Sequence, residues 1–194
     1  MDRAQAHTLE AITASLILIS SLVFALQVTA VTPLTGSTSS QHIENQQAAA
    51  AEGVLASAAE RGTLKPTLLY WNESADNWQG ASNDGYADGP PETAFGDTLE
   101  SMFLDRGIVF DLTIYYVDDD GDRRREPIVD LGEPSDHAST ASRTVTLADD
   151  DPLRESDGSA SNTTLSNASY LVADADPNQA LYSVVEVELV VWRM

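Results

Sequence analysis

Residues Ala11 to Val31 read AITASLILISSLVFALQVTAV, and the organisation of the chain follows from this stretch. At 1.5 Å per residue a helix of this length spans about 31 Å, which matches the hydrocarbon core of a bilayer. Its polar residues are Thr, Ser and one Gln, and the hydroxyl groups can donate to carbonyl groups of their own helix. The stretch therefore predicts a membrane-embedded helix, with a helix buried in a soluble core as the alternative.

A cleaved secretory signal peptide is a second alternative. Such a peptide has a basic segment, a shorter apolar core and a cleavage site of the small-x-small type. Arg3 is the single basic residue before the apolar stretch, and Val28-Thr29-Ala30 is the best cleavage sequence after it. Arg3 on one side and acidic residues on the other favour a single-pass protein with a cytoplasmic N-terminus and an extracellular head.

Acidic residues dominate the charge: 31 Asp and Glu stand against 10 Lys and Arg, for a formal net charge of −21 at pH 7. Such a surface repels phosphate backbones, which argues against nucleic-acid binding. Lys65 is the single lysine. In molar salt the Debye length falls to about 3 Å, so the self-repulsion of this charge nearly vanishes. The composition predicts a halophilic protein, with a merely acidic soluble surface as the alternative.

The side chains available for chemistry are few. The absence of cysteine from the sequence excludes disulfide scaffolds, thiolate zinc sites and cysteine nucleophiles. The three histidines, His7, His42 and His137, stand far apart in the sequence. Asp136 and His137 near a serine could be drawn as a triad, but no nucleophile-elbow sequence or glycine-rich oxyanion loop accompanies them. We therefore expect no enzymatic activity and no cofactor, with an anchored extracellular hydrolase as the least favoured alternative.

Composition divides the chain into four segments. They are a short leader at residues 1–10, the apolar helix at 11–31, a kinked helical stalk at 32–62 and an acidic head at 63–194. Thr32 to Ser40 is rich in turn-forming residues and should interrupt the helix at Pro33. A helix is expected to resume from Gln41 to Arg61. Its modestly apolar face would consist of Ile43, Ala50, Val54, Leu55 and Ala58.

The head contains short apolar runs between glycine- and aspartate-rich loops. Tyr182 to Trp192 alternates apolar and polar positions, and this period of two predicts a strand with one buried face. The other predicted strands are Thr67–Trp71, Ile108–Val117, Ile128–Leu131, Arg143–Leu147 and Tyr170–Val172. A short amphipathic helix is expected between Glu92 and Arg106, with Asp97 as its N-cap. The predicted fold class is α+β: a long N-terminal hydrophobic helix followed by a mainly antiparallel β head.

The residues before the apolar helix, Arg3-Ala4-Gln5-Ala6-His7-Thr8-Leu9-Glu10, stand in a specific order. A basic residue, a small residue and a short polar segment with one Glu lead directly into the helix. This order resembles the class III signal peptides of archaeal type IV pilins, and especially of haloarchaeal pilin-like surface proteins. The resemblance covers residues 1–31. It implies that a membrane peptidase removes the leader and that the apolar helix is kept as the packed core of a filament.

Under this resemblance Arg3, Ala4, Gln5 and Ala6 are the signal-processing residues. Cleavage before Gln5 suits the archaeal preference but makes Glu10 the sixth mature residue, whereas pilins usually place this Glu fifth. Cleavage after Gln5 makes Glu10 the fifth residue but leaves Gln, not a small residue, before the scissile bond. Either the register is relaxed or the protein is an unprocessed relative.

Glu10 is the last charge before an uncharged stretch that extends to Ile43. A carboxylate at the edge of an apolar helix is costly to bury unless a cation meets it. In pilins that cation is the terminal amine of a neighbouring subunit, so the resemblance assigns Glu10 a role in assembly. The alternative is that Glu10 lies in the first helical turn, where the helix dipole favours an acid, or among lipid headgroups.

Three N-x-S/T sequons begin at Asn72, Asn162 and Asn167. On the outside of a cell such asparagines are acceptors for N-glycans. A chain rich in Ser and Thr also produces these triplets by chance. Each asparagine is therefore a candidate N-glycosylation site, and the pair in one polar loop is the stronger signal.

The run Asp118-Asp119-Asp120-Gly121-Asp122 follows the strongest internal strand. Asp118, Asp120 and Asp122 are a weak candidate set for Ca²⁺, which takes about six to eight oxygen ligands. The EF-hand order needs Gly two places later and Glu at its last position, and this sequence has neither. Asp-Gly is also a common hairpin turn, and three arginines follow at once. A turn is the favoured interpretation.

Together these features predict a structural or adhesive pilin-like subunit of a haloarchaeal cell surface, either a minor pilin or a pseudopilin-like protein. Its partners would be the membrane, other pilin-like subunits in a homo- or hetero-oligomer, and a surface or S-layer component. The first alternative is a permanently membrane-anchored cell-envelope protein whose head binds a partner and which never polymerises.

The acid excess generates a first prediction, on salt. The head should lose thermal stability as NaCl falls from molar concentration to about 0.1 M, where the Debye length is about 10 Å and the acidic residues repel one another. The measurement is the melting temperature across a NaCl series. A melting temperature that stays constant over this range would contradict the halophile interpretation.

Overall fold

The computed structural model describes the backbone of residues 2–30, 34–82 and 85–193, and the side chains of 7–25, 41–82 and 85–193. It divides into two compact units, residues 1–41 and residues 42–194. Two long helices, α1 (Asp2–Ala30) and α2 (Leu34–Glu60), precede the head. The predicted fold class is confirmed, since an N-terminal apolar helix is followed by mainly antiparallel strands.

The head contains two further α-helices, eight strands and two 3₁₀ turns in its described part. The helices are α3 (Leu64–Leu68) and α4 (Ala94–Met102), and the 3₁₀ turns are Leu104–Arg106 and Leu165–Asn167. The strands are β1 (Trp71–Asn72), β2 (Asn77–Trp78), β3 (Ile108–Val117), β4 (Arg123–Val129), β5 (Ser139–Ala148), β6 (Pro152–Arg154), β7 (Ala160–Thr164) and β8 (Leu181–Arg193).

A four-stranded antiparallel sheet of order β4-β3-β8-β5 forms the centre of the head. β8 pairs with β3 on one side (Leu112 opposite Leu189) and with β5 on the other (Val145 opposite Val185). The alternation predicted for this last strand is confirmed. Val185, Val187, Leu189 and Val191 are buried, and Glu186 and Glu188 are partly exposed.

One face of α2 contributes to the same core as the buried face of the sheet. Val54, Leu55 and Ala58 are buried as predicted, and Ala51 is fully buried beside them. Ile43, which was also predicted on this face, is 46% exposed. The face is therefore displaced toward the C-terminal half of the helix.

The start of α2 departs from the sequence prediction. Residues 34–40, expected as turns, are helical, because α2 begins at Leu34 and not at Gln41. Ser and Thr are less favourable than Ala in a helix by only about 0.7 kcal/mol or less per residue, so a neighbouring helical segment can extend through them. The expected kink at Pro33 lies outside the described residues.

Two predicted strands are wrong. Of Thr67–Trp71, the first two residues end the short helix α3, the next two lie in neither helix nor strand, and Trp71 begins β1. Pro66 lies in the first turn of α3, where a proline costs no hydrogen bond. A short apolar run does not distinguish helix from strand. Tyr170–Val172 is irregular: the Tyr170 hydroxyl donates to the Leu68 carbonyl (2.7 Å), and Val172 is buried without any ladder.

The predicted helix between Glu92 and Arg106 is present, but Asp97 is not its cap. Thr93 is the N-cap, and its hydroxyl accepts the Gly96 N–H at 3.1 Å. Asp97 lies in the first turn of α4, where an acid still interacts favourably with the helix dipole. The polar segment from Asp149 to Asn162 contains β6 and the start of β7.

A row of aromatic rings packs together on the loop-rich side of the head. Trp71 meets Trp78 edge to face with centroids 5.2 Å apart, and Tyr170 lies 5.8 Å from Trp71 on its other side. Tyr182 of β8 continues the row at 6.3 Å from Tyr170. The indole N–H or hydroxyl group of each ring donates to a main-chain carbonyl oxygen. The Tyr182 hydroxyl, for example, lies 2.8 Å from the Val172 carbonyl oxygen. Side-chain contacts thus take the place of a ladder in this region.

These buried phenols predict sensitivity to alkali. Burial and the nearby acids Asp174 and Asp149 raise the pKa of Tyr182 from 10.0 to about 12. The folded state therefore favours the neutral phenol, and this contribution is full below pH about 10 and lost as the pH rises through 12. We expect the melting temperature to decrease as the pH is raised from about 10 to about 12. Tyr182→Phe should flatten that fall and destabilise at neutral pH by about 1–3 kcal/mol, because the Val172 carbonyl loses its donor. An equally steep fall in the variant would contradict the assignment.

Two glycines give a matched test of helix packing. A Cβ at Gly96 would lie 1.9 Å from the Pro91 carbonyl oxygen, so Gly96→Ala forces α4 away from the Pro90-Pro91 segment. We expect destabilisation of about 1–3 kcal/mol or more, as for overpacked cores. Gly53 is exposed in α2, and a methyl group added there would meet no atom within 4 Å, so Gly53→Ala should stabilise by about 0.5–1 kcal/mol. Urea midpoints in detergent micelles measure both; equal midpoints would contradict this packing.

Candidate functional site: the exposed apolar helix

The helical segment His7–Ala25 of α1 is long and apolar enough to cross a membrane. It is the one such segment in the described part of the chain, and none of it is buried by other residues. Its 19 residues span about 28 Å at 1.5 Å per residue. Length and composition are thus those of a transmembrane helix or a signal helix, and a buried core helix does not fit.

Large apolar side chains cover most of the circumference of this segment. Their exposed fractions range from 47% for Val23 to 71% for Leu18. The set is Leu9, Ile12, Leu16, Ile17, Leu18, Ile19, Leu22, Val23 and Phe24. At 100° per residue, these side chains leave one wide gap around the helix, and the small residues Ala14, Ser21 and Ala25 lie in it. A helix that is apolar nearly all round needs an apolar environment.

Two hydroxyl groups on this segment are satisfied within the helix, as the sequence predicted. Thr13 Oγ1 donates to the Leu9 carbonyl oxygen at 2.6 Å, and Ser15 Oγ donates to that of Ala11 at 2.7 Å. A hydroxyl that is already bonded adds little to the cost of transfer into lipid. These polar residues therefore do not oppose membrane insertion.

Glu10 lies on α1 at the border of the apolar segment, with its side chain 81% exposed. Because α1 begins at Asp2, Glu10 lies more than two turns inside the helix, and the interpretation that placed it in the first turn is wrong. His7 Nδ1 is 3.8 Å from its carboxylate, and an exposed pair of this kind contributes little to stability. Arg3, Ala4, Gln5 and Ala6 belong to the same helix, and their side chains lie outside the described residues.

The three sequon asparagines differ in accessibility. Asn162 and Asn167 are exposed in and after β7, and Asn167 Nδ2 donates to Thr164 Oγ1 at 3.0 Å. Asn72 is half-buried in the β1–β2 hairpin, where its Oδ1 accepts the N–H groups of Ser74 and Ala75. The side chains of Asn162 and Asn167 are therefore accessible for glycosylation. Glycosylation of any of the three asparagines stays a prediction.

The acidic run at residues 118–122 is the turn between β3 and β4. Asp118 Oδ1 accepts the N–H groups of Asp120 and Asp122, and Oδ2 accepts Arg124 Nε at 2.6 Å. The Arg124 guanidinium and the Asp122 N–H hold the pKa of Asp118 below its usual range. Gly121 adopts φ +83°, which the turn requires. No three acids or histidines in the described residues are grouped so that they could hold a metal ion.

His137 has a partner that the sequence did not reveal. Its Nδ1 lies 2.8 Å from Glu44 Oε1 of α2, and the Ser139 hydroxyl donates to the Glu44 carbonyl oxygen at 2.9 Å. Ser139 thus bonds to α2 and not to His137, so these residues do not form the triad considered from the sequence. The contact joins positions 93 residues apart, and no local pattern could have predicted it.

A surface cleft of about 610 Å³ lies beside the segment from Gln79 to Glu92. Tyr70 and Tyr86 line it, with hydroxyl groups that donate to the carbonyl oxygens of Ser156 and Gln79. Burial raises the pKa of Asp111 and of Asp149, and acidic neighbours add to this effect. Neither aspartate lines the cleft. The perturbed carboxyls therefore lie outside this cleft, so the cleft gives a hydrolase no geometric support.

Comparison with known proteins places the chain in a family without assigning an activity. No curated protein and no solved structure matches it. The sequence model of a family of unknown function, DUF7288, matches residues 3–191, which is nearly the whole chain. The match includes both the apolar helix and the β-rich head. The protein is therefore a member of the DUF7288 family.

Proposed function

We propose that this protein is a structural or adhesive pilin-like subunit of a haloarchaeal cell surface. The observation that carries the proposal is the apolar segment His7–Ala25, whose large side chains are exposed around most of the helix. In this proposal α1 anchors the protein in the membrane and also packs against other pilin-like subunits, while the head faces outward.

The free energy of burial explains why α1 needs a partner. Burial of one large apolar side chain contributes about 1.5–3 kcal/mol, and nine such side chains are exposed here. Even with a discount for partial exposure, the total is on the order of 10 kcal/mol. A bilayer or a bundle of neighbouring helices supplies this environment, and a pilin-like subunit uses both in succession.

The small-residue face of α1 supports helix packing. Ala14, Ser21 and Ala25 lie on the one side without large side chains. Small residues let helix backbones approach closely in an apolar medium, where dispersion and hydrogen bonds rather than hydrophobicity drive association. Glu10, at the border of the same segment, is placed to meet a cation of a neighbouring subunit.

The permanently anchored alternative rests on the same exposed helix without polymerisation. Processing distinguishes the two, because removal of the leader would create the terminal amine that meets Glu10. The intact mass of the membrane-extracted protein reports the cut before or after Gln5 directly. An uncleaved mass would favour the anchored protein.

Glu10→Gln tests the assembly role. The amide keeps the shape of the side chain and removes its charge, so insertion and head folding should be retained. Recovery in sheared surface filaments, measured by immunoblot against the membrane fraction, should fall at least about tenfold, which corresponds to about 1.4 kcal/mol of lost pairing. Glu52→Gln, at an exposed acid of α2, is the matched control and should leave recovery unchanged.

Two outcomes would count against the proposal. Equal recovery of Glu10→Gln and wild type in the filament fraction would show that the charge has no part in assembly. Absence of wild-type protein from filaments, with full recovery in membranes, would favour the permanently anchored protein.

A further inference from the structure

β5 is an open edge of the central sheet. It pairs with β8 on one side, and no described residue forms a backbone hydrogen bond to residues 139–147 on the other. Every second residue of an edge strand directs its N–H and C=O away from the sheet. β5 therefore presents a row of unpaired donors and acceptors along residues 139–147.

The opposite edge of the sheet is protected in ways that β5 is not. β4 contains Pro127, which has no N–H to offer, and begins with three arginines. The segment before α4 also covers it, because the Tyr86 N–H donates to the Ile128 carbonyl and the Asp130 N–H donates to that of Tyr86. β5 has no proline, and its register is regular as far as Leu147. The two edges thus differ in their capacity to accept another strand.

A groove of about 380 Å³ follows the open edge. Thr144, Val145 and Thr146 form one wall. Consecutive strand residues point their side chains to opposite faces of the sheet. These three residues therefore line the groove through their common backbone edge. The other wall is the end of α2, the start of α3 and one residue of β6, namely Ala59, Gly62, Leu64, Lys65, Pro66 and Arg154.

The groove is cationic in a chain with a net charge of −21. Arg154 is half-buried in its wall, forms no ion pair with any described residue, and has a buried Nε without a hydrogen-bond partner. Arg143 is exposed on β5, next in sequence to Thr144 of the groove wall, and likewise has no described ion pair. Lys65 is held by Asp151 at 2.8 Å. No Asp or Glu is among the residues that line the groove, so Arg143 and Arg154 favour an acidic partner at this edge.

We propose that the head binds an extended acidic segment of a partner protein, which adds to the sheet as a strand beside β5 with its carboxylates on Arg143 and Arg154. Main-chain hydrogen bonds supply the affinity, as in other cases of strand addition, and the arginines select acidic side chains. This surface belongs to the head and does not depend on whether α1 polymerises.

The same charges disfavour a second copy of the chain as the occupant. Antiparallel pairing of two β5 strands over their full length would place both Arg143 side chains near the symmetry axis. Both Arg154 side chains would lie close to that axis as well. Like charges at an edge are a device that proteins use against edge-to-edge association. An acidic segment of another protein meets no such repulsion.

The test uses the full chain in detergent micelles, at the lowest NaCl concentration at which the chain remains folded, because charge contacts are screened least there. The probe is a fluorescein-labelled decapeptide in which Glu alternates with Thr and Val. Control peptides carry Lys in place of Glu, or Pro at two central positions. We expect the acidic peptide to bind in fluorescence anisotropy, and both controls to bind at least about tenfold more weakly. Equal binding of all three peptides would overturn the proposal.

Variants and amide exchange locate the site. Arg143→Glu and Arg154→Met should each weaken binding of the acidic peptide at least about tenfold, while Arg106→Gln, outside the groove, leaves it unchanged. Bound peptide should slow hydrogen exchange in residues 140–147 and not in 123–129. Unaltered hydrogen exchange at β5 in the presence of the peptide would overturn the proposal. So would light scattering that shows a dimer of the chain paired through β5, if Arg143→Glu strengthens that dimer.

Discussion

The pairing of β8 with strands on both of its sides is the interaction on which the head depends. β8 is the last strand in sequence, yet it lies between β3 and β5 in the sheet. Its alternate valines and leucine form the middle of the core, against Leu112, Ile114 and α2. Because the side-chain period is two, a shift of one residue would expose all of them together. The register of this strand therefore determines the position of every other element of the sheet.

Charge is distributed unevenly over the molecule. On the outer face of the sheet, Arg123 pairs with Glu186 at 2.8 Å and lies over the Tyr115 ring, while the Tyr115 hydroxyl donates to Glu188. Arg123 is thus matched locally. Arg143 and Arg154 have no such match among the described residues, although acids outnumber bases threefold. What distinguishes Arg154 is its position, since it is half-buried in the groove wall and its buried Nε has no hydrogen-bond partner.

Local pattern was enough to predict the features that extend over many consecutive residues. These are the apolar helix, the acidic character, the long strands β3 and β8, the turn at Gly121 and the helix after Glu92. Each follows from a periodicity or composition that covers enough residues to outweigh local exceptions. Predictions for short segments were less secure, since a run such as Thr67–Trp71 suits a helix as well as a strand, whereas Arg143–Leu147 lies within β5 as predicted and Ile128–Leu131 overlaps the end of β4.

Features that join distant residues could be known only from the packed structure. The Glu44–His137 contact, the burial of Ala51 in place of Ile43 and the open edge of β5 depend on which elements pack together. Strand order is set by the burial of whole faces, which no single segment encodes. For the same reason, the exposure of α1 is a structural finding, whereas its apolarity could be read directly from the chain.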